Sequence, residues 1–158
     1  MKKNPNIVDH IIPMEFTTYW TIMPKDTNYM FPLVFGGAMM SQVDLAAATH
    51  ARMLLNWTSC DKVVTHKADF DFGTRAYAGD TIRFDSKVVE VRNNSIRFIV
   101  DAYRSALPDG SKPMGICFEH IGKHELVFVT MTGDQSTPHK LRDVIPQEVL
   151  RMMDENND

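Results

Sequence analysis

Apolar residues recur at three- and four-residue spacing from residue 38 to about 57 and at every second position from residue 62 onward. That change of period divides the chain into one long helix and a set of strands. Met40, Val43, Ala47, Ala51 and Leu54 carry the helical repeat in a stretch free of proline and glycine, which predicts a helix with a single apolar stripe. Ahead of it, residues 14–23 are rich in aromatic and β-branched types and stop at Pro24, the composition of a first strand. Beyond it, His66, Ala68, Phe70 and Phe72 alternate with Thr65, Lys67, Asp69 and Asp71, so the first four are expected on one face and the others opposite. Ile82, Phe84, Ser86 and Val88 begin a third strand, and Ile96, Phe98, Val100 and Ala102 a fourth. Asn93-Asn94 between them is a two-residue turn signal, so the pair reads as a hairpin. Pro108-Asp109-Gly110 turns the chain again into a β-rich stretch from Met114 to Met131, with a break expected at Gly122-Lys123. Residues 134–146 read as a polar surface connection, followed by a short helix from about Gln147 to Met153.

Strand, long helix, then four antiparallel strands is an α+β order in which a curved sheet buries one face against the helix. One domain over residues 1–158 is expected, with its core at about 14–134 and the connection and short helix at 135–158. An open sheet leaves edge strands, and pairing them between subunits is one way of covering them.

Composition narrows the partners. With 44% apolar and 23% charged residues the chain has the balance of a soluble globular protein. A formal net charge of -3 supplies no field for drawing in nucleic acid or an acidic membrane, so neither is an expected partner. Cys60 and Cys117 form no CxxC spacing, which fits a reducing compartment. Asn4, Pro5, Asn6, Asp9 and His10 interrupt any signal-peptide run, and residues 31–40, the most apolar stretch, fall short of the roughly 20 needed to span a bilayer. The expected location is the cytoplasm.

Asp44 is the most informative residue. It follows Met40 by four and precedes Ala47 by three, which puts a carboxylate on the apolar stripe, where an unpaired charge is strongly disfavoured. It must be hydrogen-bonded, neutralised by a raised pKa, or placed at a cleft where a substrate arrives. An acid satisfied by core partners and a catalytic acid are both open at this point. Gly36-Gly37 stand at the start of the helix, where free amides and the positive end of the macrodipole favour a carbonyl oxygen gaining negative charge. Glycines before helices also serve backbone geometry alone. Gly36 precedes Asp44 by eight residues, a rise of about 12 Å, so a site shared between subunits would bring carboxylate and amides together.

Asp26-Thr27-Asn28, Phe35-Gly36-Gly37 and Met40-Ser41-Gln42-Val43-Asp44 together resemble the acyl-CoA thioesterase branch of the hotdog superfamily. Val63-Val64-Thr65, the Phe72 strand and Ala78-Gly79-Asp80 resemble that family's second strand and its G-D turn, and the similarity covers about residues 17–134. The resemblance implies a curved antiparallel sheet wrapped around one central helix and hydrolysis of acyl-CoA thioesters. It implies a site made of Asn28, the asparagine of a DTN or HTN motif, with Gly36, Gly37 and Asp44, in which Asp44 either activates a water as general base or attacks the thioester directly as nucleophile. It also implies a homodimer or a higher oligomer, tetramer or hexamer, in which Asn28 and the glycines of one subunit meet the aspartate of the other. Coenzyme A enters as part of the substrate, so no cofactor is expected. Two features depart from the family pattern. Residues 29–35 form a loop one residue longer and without glycine, and Thr74-Arg75 stand where relatives carry Arg-Pro. Arg75 and Lys67 are candidates for the CoA phosphates, or are solvated strand charges. Met30 and Phe35 are expected at the substrate, and an acyl tunnel, core packing and a subunit contact are all open for Met30, Phe31 and Leu33.

Other chemistries find less support. His120 and His124 are spaced i,i+4 in a stretch read as β, with no Cys or carboxylate cluster to complete a metal shell, so no metal site is expected. Ser41 lacks a GxSxG context, and no GxGxxG or GxxxxGK[ST] phosphate loop occurs. A non-catalytic acyl-CoA or lipid binder, a hotdog dehydratase and a purely structural β module are the rivals. The dehydratase needs a catalytic histidine near the helix start, and His50 comes two turns too late.

Overall fold

The computed structural model describes residues 12–55, 62–106 and 117–156. The long helix α1 spans Gly36–Leu55, in the place the 3.6-residue period requires. The Phe35 carbonyl accepts the amides of Ala38 (2.9 Å) and Met39 (3.2 Å) and so closes the first turn. The glycine pair therefore lies inside that turn and not ahead of the helix. The expected end at Trp57, the 108–110 turn and Met114 fall outside the described residues.

Strands β1 (Glu15–Thr21), β2 (Lys62–Phe72), β3 (Thr81–Val91), β4 (Ser95–Ala106), β5 (Cys117–Thr132) and the short β6 (Gln135–Ser136) form one antiparallel sheet. Its order is β1-β3-β4-β5-β2, with β6 beside the end of β5. Strands β1 and β2 are thus the edges of the main sheet. The expected break at Gly122-Lys123 does not occur: β5 runs through it, and the irregularity lies next to it, where the register shifts opposite Ala102/Tyr103.

One face of the sheet packs on α1. Ile82, Phe84, Phe98, Val100, Leu126 and Phe128 are buried there against Met39, Val43, Ala46, Ala47, Ala51 and Leu54 of the helix. Each fully buried large side chain contributes roughly 1.5–3 kcal/mol relative to exposure, so this layer supplies most of the driving force. The helix stripe differs from expectation in one member. Met39 is buried while Met40 is 39% exposed, so the stripe turns about one residue away from the predicted line.

A second difference is on β2. His66 is a β-bulge: Thr65 pairs with Phe128 and Lys67 with Val127, leaving His66 without an opposite residue. The extra residue reverses the alternation. Thr65, not His66, shares the inner face with Ala68, Phe70 and Phe72. A third concerns residues 134–146, read as surface. They carry Leu141 and Ile145 into the core, followed by helix α2 (Gln147–Glu155), whose Leu150 is also buried. Spaced polar and proline residues hid these two anchors.

Candidate active site

Asp44 stands at the margin of the buried stripe of α1, half-buried, on the side facing β2. The Thr65 hydroxyl donates to its Oδ1 at 2.7 Å. Among the described residues no other group bonds the carboxylate, so Oδ2 is open. A carboxylate with one oxygen fixed by a charge-assisted hydrogen bond and the other free is held in orientation yet able to accept a proton. Thr65 is a neighbour of Asp44 that the sequence pattern does not disclose, because unbroken alternation puts it on the opposite face. The one available signal was chemical: a second-strand threonine in a row otherwise lined by Ala68, Phe70 and Phe72.

At the other end of α1's first two turns, Gly36 and Gly37 are both exposed. With the Phe35 carbonyl taken by Ala38 and Met39, the amides of Gly36 and Gly37 have no acceptor among the described residues. They are the orphan donors of a helix start, with the positive end of the dipole behind them. The ring of Phe35 lies beside them: a Cβ on Gly37 would meet it at 2.6 Å. Glycine at 37 is therefore what lets this ring lie against the helix start.

Asn28 sits on the loop before the helix. Its amide donates to the Leu33 carbonyl at 2.8 Å, and Phe31 donates back to the Asn28 carbonyl at 3.2 Å, so residues 28–33 make a tight hairpin-like turn. The Asn28 side chain is exposed and has no partner among the described residues. The turn displays Tyr29, Met30 (77% exposed) and Phe31 to solvent, and Phe35 is 61% exposed. Asn28 and Met30 line an open hollow of about 570 Å³ with Pro24, Lys25, Tyr29 and Phe31. Arg75 is brought to the same loop, because Val34 donates to the Ala76 carbonyl at 2.9 Å and Ala78 to the Pro32 carbonyl at 2.8 Å. Lys67 is exposed on β2.

A single chain thus gathers Asn28, Met30, Phe35, Gly36, Gly37 and Arg75 around the helix start and leaves Asp44 apart with Thr65, some two turns along the helix. The exposed apolar side chains of Tyr29, Met30, Phe31 and Phe35 stand together on this loop beside Asn28.

Two other titratable groups of the interior, His50 and His124, lie away from these residues. His50 is buried, its Nε2 donating to the Pro13 carbonyl (2.6 Å) and its Nδ1 accepting from the Ser86 hydroxyl (2.8 Å). Burial lowers its pKa, with the Pro13 bond acting against that. His124 lies under Phe70 and Phe72 and accepts the Asp71 amide at 3.3 Å on Nδ1. Burial lowers its pKa to about 4. The described residues hold no group of three or more His, Cys, Asp or Glu suited to a metal ion.

Comparison with known proteins adds three observations. The sequence model of the thioesterase superfamily matches residues 31–107. No curated protein sequence matched the chain. Among solved structures, a hexameric hotdog-fold thioesterase of Campylobacter jejuni is 30% identical with a TM-score of 0.66, over 87% of this chain and 94% of that one. An acyl-CoA hydrolase from Staphylococcus aureus, solved with butyryl coenzyme A and coenzyme A, is 20% identical with a TM-score of 0.65, over 91% of this chain and 89% of that one. A hexameric broad-specificity acyl-coenzyme A thioesterase is 22% identical with a TM-score of 0.68, over 87% of this chain and 94% of that one. The last two share the fold.

Proposed function

The chain belongs to the family of hotdog-fold thioesterases, and from that premise we propose that it hydrolyses acyl-CoA thioesters to a free carboxylic acid and coenzyme A. The observation that carries the mechanism is the half-tied Asp44 carboxylate, with Oδ1 on Thr65 and Oδ2 without a partner among the described residues. In this reading Asp44 is the general base. Oδ2 takes a proton from water as the water oxygen bonds to the thioester carbon. The carbonyl oxygen, now carrying the negative charge, is received by the free amides of Gly36 and Gly37. Collapse of the tetrahedral species breaks the carbon–sulfur bond, and the leaving thiolate recovers the proton from Asp44. Asn28 orients the water or the substrate.

The separation of about 12 Å between Gly36 and Asp44 along one helix supports a composite site, in which Asn28, Gly36 and Gly37 of one protomer work with Asp44 of the partner subunit. The exposed apolar loop at 29–35 supports the same arrangement, since a second protomer would cover it. A homodimer is the minimum, and the hexameric relatives make a trimer of such pairs the expected full assembly. Met30 and Phe35 would border the acyl group and Arg75 the phosphates of CoA. Among the described residues no helix is long and apolar enough to cross a membrane, and the reading places the enzyme in the cytoplasm.

Replacing Asp44 with Ala tests it directly. Thiol release from a panel of acyl-CoA esters should fall by about 10²–10⁴-fold, the usual worth of a general base, with the oligomer intact by size-exclusion chromatography. Undiminished turnover would reject the assignment.

A further inference from the structure

We infer that Arg104 is a positioning residue for the Asn28 loop, although it stands on a different strand and reaches the loop only through another segment. The inference rests on the role of Asn28 proposed above. Arg104 lies near the end of β4, opposite Ile82 on β3 and Glu119 on β5. Ile82 is fully buried on the inner face, and residues directly opposite in register share a face, so Arg104 points to the helix side of the sheet. The Arg104 side chain is 24% and that of Glu119 44% exposed, so the pair sits at the rim of that face.

Its partners explain its presence. Nε donates to Glu119 Oε2 at 2.7 Å, Nη1 donates to the Arg75 carbonyl at 2.8 Å, and the guanidinium sits 5.9 Å from the centre of the Tyr77 ring. Glu119 neutralises the charge. What remains is a bridge from the rigid sheet to residues 75–77, which form no part of any strand or helix. Those residues in turn hold the catalytic loop by backbone alone: Leu33 forms an antiparallel bridge with Tyr77, flanked by the Val34–Ala76 and Ala78–Pro32 hydrogen bonds. Leu33 receives the Asn28 amide, and Phe35, whose carbonyl closes the first turn of α1, is two residues further on. Sheet, Arg104, residues 75–77, residues 32–34 and Asn28 are therefore one continuous chain of directional contacts. Loss of the Arg75 bond removes the side-chain tie between β4 and this segment, which is otherwise held by backbone bonds of Gly73 and Thr74 to Ile121 and of Gly79 to Ile22, and a displacement on the order of 1 Å at a reacting group is enough to cost up to 10²-fold in rate.

Arg104→Lys separates positioning from plain stabilisation. A lysine keeps the charge next to Glu119, but its single ammonium cannot fork to the Arg75 carbonyl as a guanidinium does. We expect thiol-release kcat to drop about 10-fold in Arg104→Lys, with KM within about twofold, because the lost contact acts on the reacting groups and not on substrate affinity. The same drop should appear with the acyl-pantetheine thioester, which lacks the nucleotide. Arg104→Gln should reproduce it; if that variant does not fold, the lysine variant decides alone. A wild-type kcat in Arg104→Lys, a change confined to KM, or a loss seen only with the full CoA ester would overturn the inference. The underlying reading is judged separately: Asn28→Ala with undiminished kcat removes the role of Asn28 itself, whereas a crippled Asn28→Ala beside a normal Arg104→Lys removes only the role of Arg104.

Discussion

His50 and Asp44 stand six residues apart on the same helix, both polar, both against the sheet, and they are treated in opposite ways. His50 is fully enclosed and both ring nitrogens are bonded, one to Ser86 and one to Pro13. Asp44 is half-open and, among the described residues, only one of its oxygens is bonded. A buried polar group with every bond made fixes structure, because any movement leaves donors and acceptors stranded. A group with one bond missing at a surface is free to do chemistry. The difference separates a polar residue that holds the fold from the one proposed to serve the reaction, and mutation can test it from both ends.

The strongest test on the structural side is His50→Ala. It strands the Pro13 carbonyl and the Ser86 hydroxyl and opens a cavity beside Phe98, whose ring lies 5.1 Å from the imidazole. Together these should cost about 3–4 kcal/mol in urea unfolding. Turnover per folded molecule should be unchanged at low temperature. A large loss of kcat with unaltered stability would erase the distinction between the two residues.

Acid provides a second way in, through His124. Its Nδ1 accepts the Asp71 amide, so the proton of the neutral ring is on Nε2, which has no partner among the described residues. Protonating Nδ1 would set two donors against each other in a buried site. Burial holds the pKa at about 4, below the ordinary 6.5, so between those values the unfolded chain binds the extra proton and the folded one does not. Stability from this group is complete above about pH 6.5 and is lost as pH falls toward 4. At about 1.4 kcal/mol per pH unit, the full span removes about 3 kcal/mol, and the part between pH 6.5 and 5 about 2 kcal/mol. His50 and His139, also lowered by burial, add in the same direction. Unfolding free energies at pH 7 and pH 5 should therefore differ less in His124→Leu than in the wild type. Equal differences would mean that another group carries the acid sensitivity.

What the chain discloses before folding follows the same division. The inner-face strand residues Phe84, Phe98 and Val100 and the helix residues Val43, Ala47 and Leu54 obey simple periods, since burial along a regular element repeats with its geometry. Asp44, Asn28 and the glycine pair are visible as a motif. Thr65 is not, because its orientation depends on a bulge at His66 that no local residue announces, and one inserted residue moves every side chain before it to the other face. Arg104 is hidden for a related reason: as one charge in an alternating strand it looks solvated, and only the fold brings Arg75 and Tyr77 to it. Periodicity reports elements, while partnerships between elements need the register.

The mildest perturbation is aimed at the bond that makes Asp44 half-tied. Thr65→Val preserves the branched shape on β2 and deletes the hydroxyl, so the carboxylate stays in place but loses its only donor among the described residues. A hydrogen bond to a charged group is worth about 1.5–3 kcal/mol, and part of that is recovered as water reaches a half-exposed oxygen. The expected result is a fall in kcat of about 10-fold, equivalent to ~1.4 kcal/mol, with KM and unfolding midpoint close to wild type. Thr65→Ser, which restores the hydroxyl without the methyl group, should return most of the rate. A wild-type rate in Thr65→Val beside an impaired Thr65→Ser would mean that the methyl contact matters and the hydroxyl does not. Asp44 would then be oriented by something other than Thr65, and the contrast with His50 would rest on burial alone.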